Sequence, residues 1–183
     1  MIGLLPTSLE VNGVDYKINS DYRVALLILS AFNDNELNEY EVLRVVIECL
    51  YVDEIPQDDI EEAYKKAVWF LNCGDTVSKP HNAKPVYDWE QDEQMIFSAI
   101  NKVAGKEVRA VDYMHFWTFI GLFNEIGDGM FASVVNIRQK RNKGKKLDKT
   151  EQEFYNQNRE IINLKKRYTR EEQEILDSLK DLI

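Results

Sequence analysis

Four side chains in the sequence are of the kinds that bind transition metals or attack carbonyl carbons: Cys49, Cys73, His81 and His115. Structural zinc sites usually bring their ligands in close pairs such as C-x2-C or H-x3-H, because one short turn then offers two donors to one ion. Here successive ligands stand 24, 8 and 34 residues apart, and Cys49 falls inside an apolar helical stretch, so no metal site is expected. His115 reads as a core or lobe-interface histidine. Nucleophilic catalysis has no better footing: there is no G-x-S-x-G, and neither cysteine has a sequence neighbour that marks an activated thiolate. Phosphate loops of the G-x-x-x-x-G-K-[ST] or G-x-G-x-x-G type are missing, and Gly127-Asp128-Gly129 and Asn142-Lys143-Gly144 read as helix breaks. Neither an enzymatic activity nor a cofactor is expected.

Two other patterns could carry binding. Arg138, Lys140, Arg141, Lys143, Lys145, Lys146 and Lys149 crowd into twelve residues with a single acid, Asp148. Such a basic patch can grip phosphates or an acidic protein surface, or it can be a solvated helix end and loop. No aromatic residue interleaves it, so stacking on single-stranded nucleic acid is unsupported. Further on, Leu147, Phe154, Ile161, Tyr168, Ile175 and Leu182 recur every seven residues. A seven-residue recurrence keeps one seam facing a partner helix. The complementary positions are poorly filled, which favours a helical hairpin packed on the core or on another chain over a true coiled coil. Phe154, Ile161, Tyr168, Ile175 and Leu182 are therefore the candidate partner-binding residues.

The elements that must position these residues are nearly all helical. Apolar Leu9, Val11, Val14, Tyr16 and Ile18 flank Asn12-Gly13, which predicts a β-hairpin with a two-residue type I′ turn. Ser20 can cap a helix to about Phe32, apolar nearly all round and so expected to be buried. Helical spacing continues over 36–51, and Pro56 opens a third helix that Gly74 can end. Residues 74–88 carry two of the four prolines and read as a connecting loop. Beyond it, Asp88 can cap a helix to about Ala104. Asp112 can cap an all-apolar central helix over 113–123, and another runs from Met130 to about Arg141. Two more are expected over 150–167 and 170–182, from the capping boxes Thr150 with Glu153 and Thr169 with Glu172. The fold class expected is mainly α: a multi-helix bundle in two lobes with a small N-terminal β-hairpin.

The lobe boundaries follow a charge break. Residues 1–73 hold 14 acids against 5 bases, whereas residues 74–183 hold 18 of each. This predicts an acidic N-terminal lobe of hairpin plus three helices (1–73), the connection (74–88) and a helical C-terminal lobe (89–183). Attraction between the acidic lobe and the basic segment, within one chain or between copies in a homo-oligomer, is one use for that asymmetry. With 183 residues, 44% hydrophobic and 30% charged, the chain can build a core without disulfides or metals. A net charge of −9 argues against general nucleic-acid binding. The uncharged runs 24–33 and 113–124 fall far short of the ~20 apolar residues of a spanning helix, so no membrane association is expected. The first residues lack the basic start of a signal peptide.

Several blocks of residues, in order, resemble the bacteriophage gene-product-fifteen family of siphophages and prophages of Gram-positive bacteria. They are Leu5-Pro6-Thr7-Ser8 leading to Val11-Asn12-Gly13, then Ile18-Asn19-Ser20-Asp21-Tyr22-Arg23. The long run from Asp112-Tyr113-Met114-His115-Phe116-Trp117 to Asn124-Glu125-Ile126-Gly127 follows. Ile137-Arg138, the stretch Lys143-Gly144-Lys145-Lys146-Leu147-Asp148-Lys149 and Glu153-Phe154-Tyr155 complete the set. The resemblance implies a gene between those of the major tail protein and the tape-measure protein. It implies a tail-assembly chaperone of the host cytoplasm, in some phages fused to the upstream tail-gene product by frameshifting. Its client would be the tape-measure protein, and it would be missing from the mature virion. No catalytic residues come with the resemblance. A structural component of the tail or head–tail joint is the alternative, and a nucleic-acid-binding phage regulator is a third reading.

Overall fold

Asn12 and Gly13 both take positive φ, 48° and 86°, the pair of angles that a type I′ turn demands and that few residues other than asparagine and glycine adopt readily. In the computed structural model, which describes residues 3–75 and 84–180, they join β1 (Ser8–Val11) to β2 (Val14–Lys17) in antiparallel register, with Leu9 opposite Tyr16 and Val11 opposite Val14. A bare ribbon is marginal in water. This one is anchored through Ile18, which bridges to Tyr51, and through the Val52 amide, which donates to the Lys17 carbonyl at 3.0 Å.

Three helices complete this part of the molecule: α1 (Tyr22–Ala31), α2 (Glu39–Leu50) and α3 (Ile60–Leu71). Asp21, not Ser20, caps α1, its carboxylate accepting the Arg23 amide. The helix is not buried all round: Tyr22, Ala25, Ile28 and Ala31 face the core, while Leu27 is exposed. Asn38 starts α2 with a capping box, accepting the amides of Tyr40 and Glu41 while Glu41 accepts the Asn38 amide. A 3-10 turn over Gln57–Asp59 follows Pro56 and leads into α3. That helix ends where Cys73 and Gly74 turn left-handed and the Gly74 amide reaches back to the Trp69 carbonyl at 2.9 Å. Val11, Tyr22, Ile28, Val46, Leu50 and Phe70 are among the fully enclosed side chains, and the Tyr51 hydroxyl donates to the Ala63 carbonyl at 2.8 Å.

The chain divides into two compact units, Met1–Asp75 with Lys166–Ile183, and Thr76–Lys165. The lobes expected from the charge break assign residues 166–183 to the C-terminal lobe. In the structure they belong with the first unit, because Asn35 donates to the Arg167 carbonyl at 2.8 Å and the Glu36 carboxylate accepts the Arg170 amide. Of the expected connection, residues 76–83 lie outside the described residues.

The second unit is built on α4 (Glu93–Ala104), α5 (Phe116–Asn124) and α6 (Met130–Asn142), followed by α7 (Lys149–Gln157) and the single turn α8 (Arg159–Ile162). Asp88 caps a turn ahead of α4, accepting the amides of Glu90 and Gln91. His115, not Asp112, caps α5. That helix is not apolar on every face either, since Thr118, Gly121 and Asn124, three apart, are exposed. Trp89, Phe97, Phe119, Phe123, Phe131 and Tyr87 make one aromatic cluster, with Trp89 and Phe123 centroids 4.9 Å apart. Asp148 with Glu151, not Thr150 with Glu153, forms the capping box of α7. The helix expected to run to Arg167 breaks at Asn158, and its last turn ends at Ile162. α9 (Arg170–Lys180) then starts at the expected Thr169–Glu172 box, with both reciprocal bonds formed. Mainly helical with one N-terminal hairpin, the fold class is the one that the sequence predicts.

Candidate functional site

The two cysteines and His115 take structural positions. Cys49 sits half-buried in α2, where burial, reinforced by Glu48, pushes its thiol up, away from the thiolate that a nucleophile or a metal ligand needs. Cys73 is half-buried in the left-handed turn after α3. His115 is buried, and its Nδ1 accepts the Trp117 amide at 3.0 Å. His81 lies outside the described residues. Among the described residues no three His, Cys, Asp or Glu side chains are grouped to hold a metal ion, and no helix is long and apolar enough to cross a membrane.

The basic segment does not form one surface. Arg138 is 5% exposed and points inward to Asp92, 2% exposed, in a bidentate pair whose second bond, Nη2 to Oδ1, is 2.9 Å. Its remaining donors go to main-chain carbonyls: Nε to Ile162, Nη2 to Ile161 and Nη1 to Val86. The guanidinium thereby takes carbonyls that a continuing helix would offer to the amides of residues 165 and 166. Gln91 completes the exit, accepting the Lys165 amide and donating to the Lys165 carbonyl. Lys140 pairs with Glu151, which also accepts from Asn136. Arg141 lies over the Tyr155 ring at 4.5 Å and donates to the Asn163 side chain. Lys143, Lys145, Lys146 and Lys149 are the remainder of the seven, and all four are exposed.

The seven-residue series does not share one helix face. Phe154 lies on α7 and packs, with Leu147, Met95 and Tyr155, against buried Val134, Ile137 and Ile162. Ile161 is exposed on α8 while its neighbour Ile162 is buried. Tyr168 lies in the non-helical stretch before α9, and Ile175 is 61% exposed on α9. Leu182 lies outside the described residues. Ile161, Tyr168 and Ile175 are thus open to solvent, but each lies on a different element.

Open apolar surface also lines a groove in each unit. In the first unit a groove follows the outer side of α2, with hollows of about 630 and 510 Å3 that share Tyr40 and Leu43. One reaches Phe32 and Tyr64, the other Ile47 and Val52. Val46 and Leu50 fill the core side of α2, so Tyr40, Leu43 and Ile47, at i, i+3 and i+7, form a second apolar row. Tyr40 is 67% exposed and Val52 half exposed. In the second unit a hollow of about 570 Å3 lies between α4, α6 and residues 125–129, with Met95, Val103, Ile126 and Met130 in its wall.

The helical spacing expected over 36–51 includes Tyr40, Leu43 and Ile47 but does not mark them as an open row. The signal was present: α2 has apolar residues at 40, 42, 43, 45, 46, 47 and 50, more than one buried stripe accommodates.

A family profile described as "Bacteriophage Gp15 protein" matches residues 1–164, which include the α2 groove and end before α9. No curated protein and no solved structure matches the chain.

Proposed function

The chain belongs to the bacteriophage Gp15 protein family and is a phage structural or assembly protein; we propose that within that class it is a non-enzymatic tail-assembly chaperone for the tape-measure protein. It acts in the cytoplasm of the host, covering apolar stripes of a long helical client until the tail tube forms around it, and it leaves before the particle is complete. The observation that carries this reading is the apolar row Tyr40, Leu43 and Ile47, open on α2 within the span that the family profile matches. A surface of this kind takes the apolar face of an amphipathic helix. Net negative charge keeps a complex with a sticky client dispersed. Exposed Ile161, Tyr168 and Ile175 are further candidate contacts, and the upstream tail-gene product is a second candidate partner.

Nucleic acid is a poor fit, because Arg138, Lys140 and Arg141 are engaged within the protein. A structural role in the tail or head–tail joint is the second reading, favoured by the presence of open apolar hollows in both units, which would let one copy bridge two neighbours. Quantitative mass spectrometry of purified particles separates the two. A chaperone is abundant in the infected cell and missing from particles, whereas a fixed copy number per particle would replace the chaperone reading with the structural one.

A further inference from the structure

The α2 groove has a floor and a rim of different chemistry, and the difference specifies what fits it. The floor is the apolar row described above. Lining the same two hollows are five carboxylates, Asp34, Glu39, Glu48, Asp53 and Glu54, against one base, Arg44. Arg44 is already taken, its Nε donating to Glu48 at 3.1 Å. Asp53 and Glu54 stand exposed at the end where α2 gives way to the Val52 loop, and Glu39 stands exposed at the other. At ~1.5 Å per residue the 12-residue α2 runs for about 18 Å, room for about three turns of a partner helix.

An apolar floor between acidic ends attracts a helix with an apolar stripe and cationic flanks, and it repels one with acidic flanks. We propose that this groove docks a cationic amphipathic helix, with apolar residues at i, i+3 or i+4 and i+7 and lysine or arginine beside them. That the tape-measure protein supplies the helix rests on the chaperone reading; the chemistry of the groove does not.

The test uses the full chain and two labelled peptides of about 20 residues, long enough to hold helical structure. Both carry the same leucine row, one with lysine flanks and one with glutamate flanks. Fluorescence anisotropy should show the lysine peptide binding at least about tenfold more tightly at low salt, with the two affinities converging as salt screens the rim. Asp53→Lys with Glu54→Lys should erase the preference, and Tyr40→Ala should weaken both peptides. All three positions are exposed, and circular dichroism checks that the variants keep the wild-type fold.

Equal affinity for the two peptides, or binding that the variants leave intact, overturns the proposal. So does a wild-type dimer in sedimentation that Tyr40→Ala dissolves, since the occupant would then be a second copy. Retrieval of the tape-measure protein by the wild type and equally by the variants overturns that protein as the groove's occupant, while leaving the chaperone reading standing. If the lysine peptide binds as expected but the tape-measure protein is not retrieved, the groove stands and the chaperone reading falls.

Discussion

Replacing Arg138 with alanine should be among the most damaging single changes in the second unit. The substitution leaves the Asp92 carboxylate, 2% exposed, without its cation, and removes the side-chain donors to the carbonyls of Val86, Ile161 and Ile162. Breaking a buried pair from one side costs about 3–5 kcal/mol, because a desolvated charge is left behind. For a chain of this length about 1 kcal/mol corresponds to about 2–4 °C, so the melting temperature should fall by about 6–20 °C. Arg138→Lys should recover little, since an ammonium cannot reproduce a five-donor fork. The double variant Arg138→Met with Asp92→Leu should lose less than Arg138→Ala, because it removes both charges together. Urea unfolding followed by tryptophan fluorescence is a suitable assay, as Trp89 lies in the aromatic cluster of the same unit. Hydrogen exchange at residues 161–166 should rise in the single variants. A loss below about 1 kcal/mol for Arg138→Ala, the range of an exposed ion pair, would refute the reasoning.

Three smaller effects follow from the same contacts. Asn38→Ala should cost about 1 kcal/mol in urea unfolding by removing the capping box of α2. Glu107 is pushed down to about 2, first by the hydrogen bond from the Arg109 side chain and then by the Arg109 amide. Its carboxyl should therefore titrate near that value by NMR, and Arg109→Ala should raise it; the stabilising contribution is whole above the ordinary carboxylate range and is lost as pH falls toward about 2. Neutralising Lys143, Lys145 and Lys146 together should change stability by less than about 0.5 kcal/mol per site in thermal unfolding, because none of the three is buried.

The sequence shows clearly those features whose cause is local. Asn12-Gly13 dictates a turn by its backbone angles alone, and Thr169 with Glu172 closes a box within four residues. Caps fail where two acceptors compete nearby: Ser20 loses to Asp21, and Thr150 to Asp148. The longer failures have distant causes. The seven-residue recurrence from Leu147 onward promises one seam, yet the helix breaks at Asn158, and Arg138 reaches across from α6 to take the carbonyls of Ile161 and Ile162 where the short α8 ends. No local pattern pairs Arg138 with Asp92, 46 residues earlier. The same pairing removes Arg138 from the expected basic patch. On α2, the excess of apolar residues is visible, but which row meets the core depends on where α1 and α3 pack.

The most direct test of the chaperone reading is co-expression of this chain with the tape-measure protein, with and without the upstream tail-gene product. The expected result is a soluble tape-measure protein that co-elutes with the tagged chain. A tape-measure protein that stays insoluble in both arms, alongside a chain that purifies alone, would contradict it.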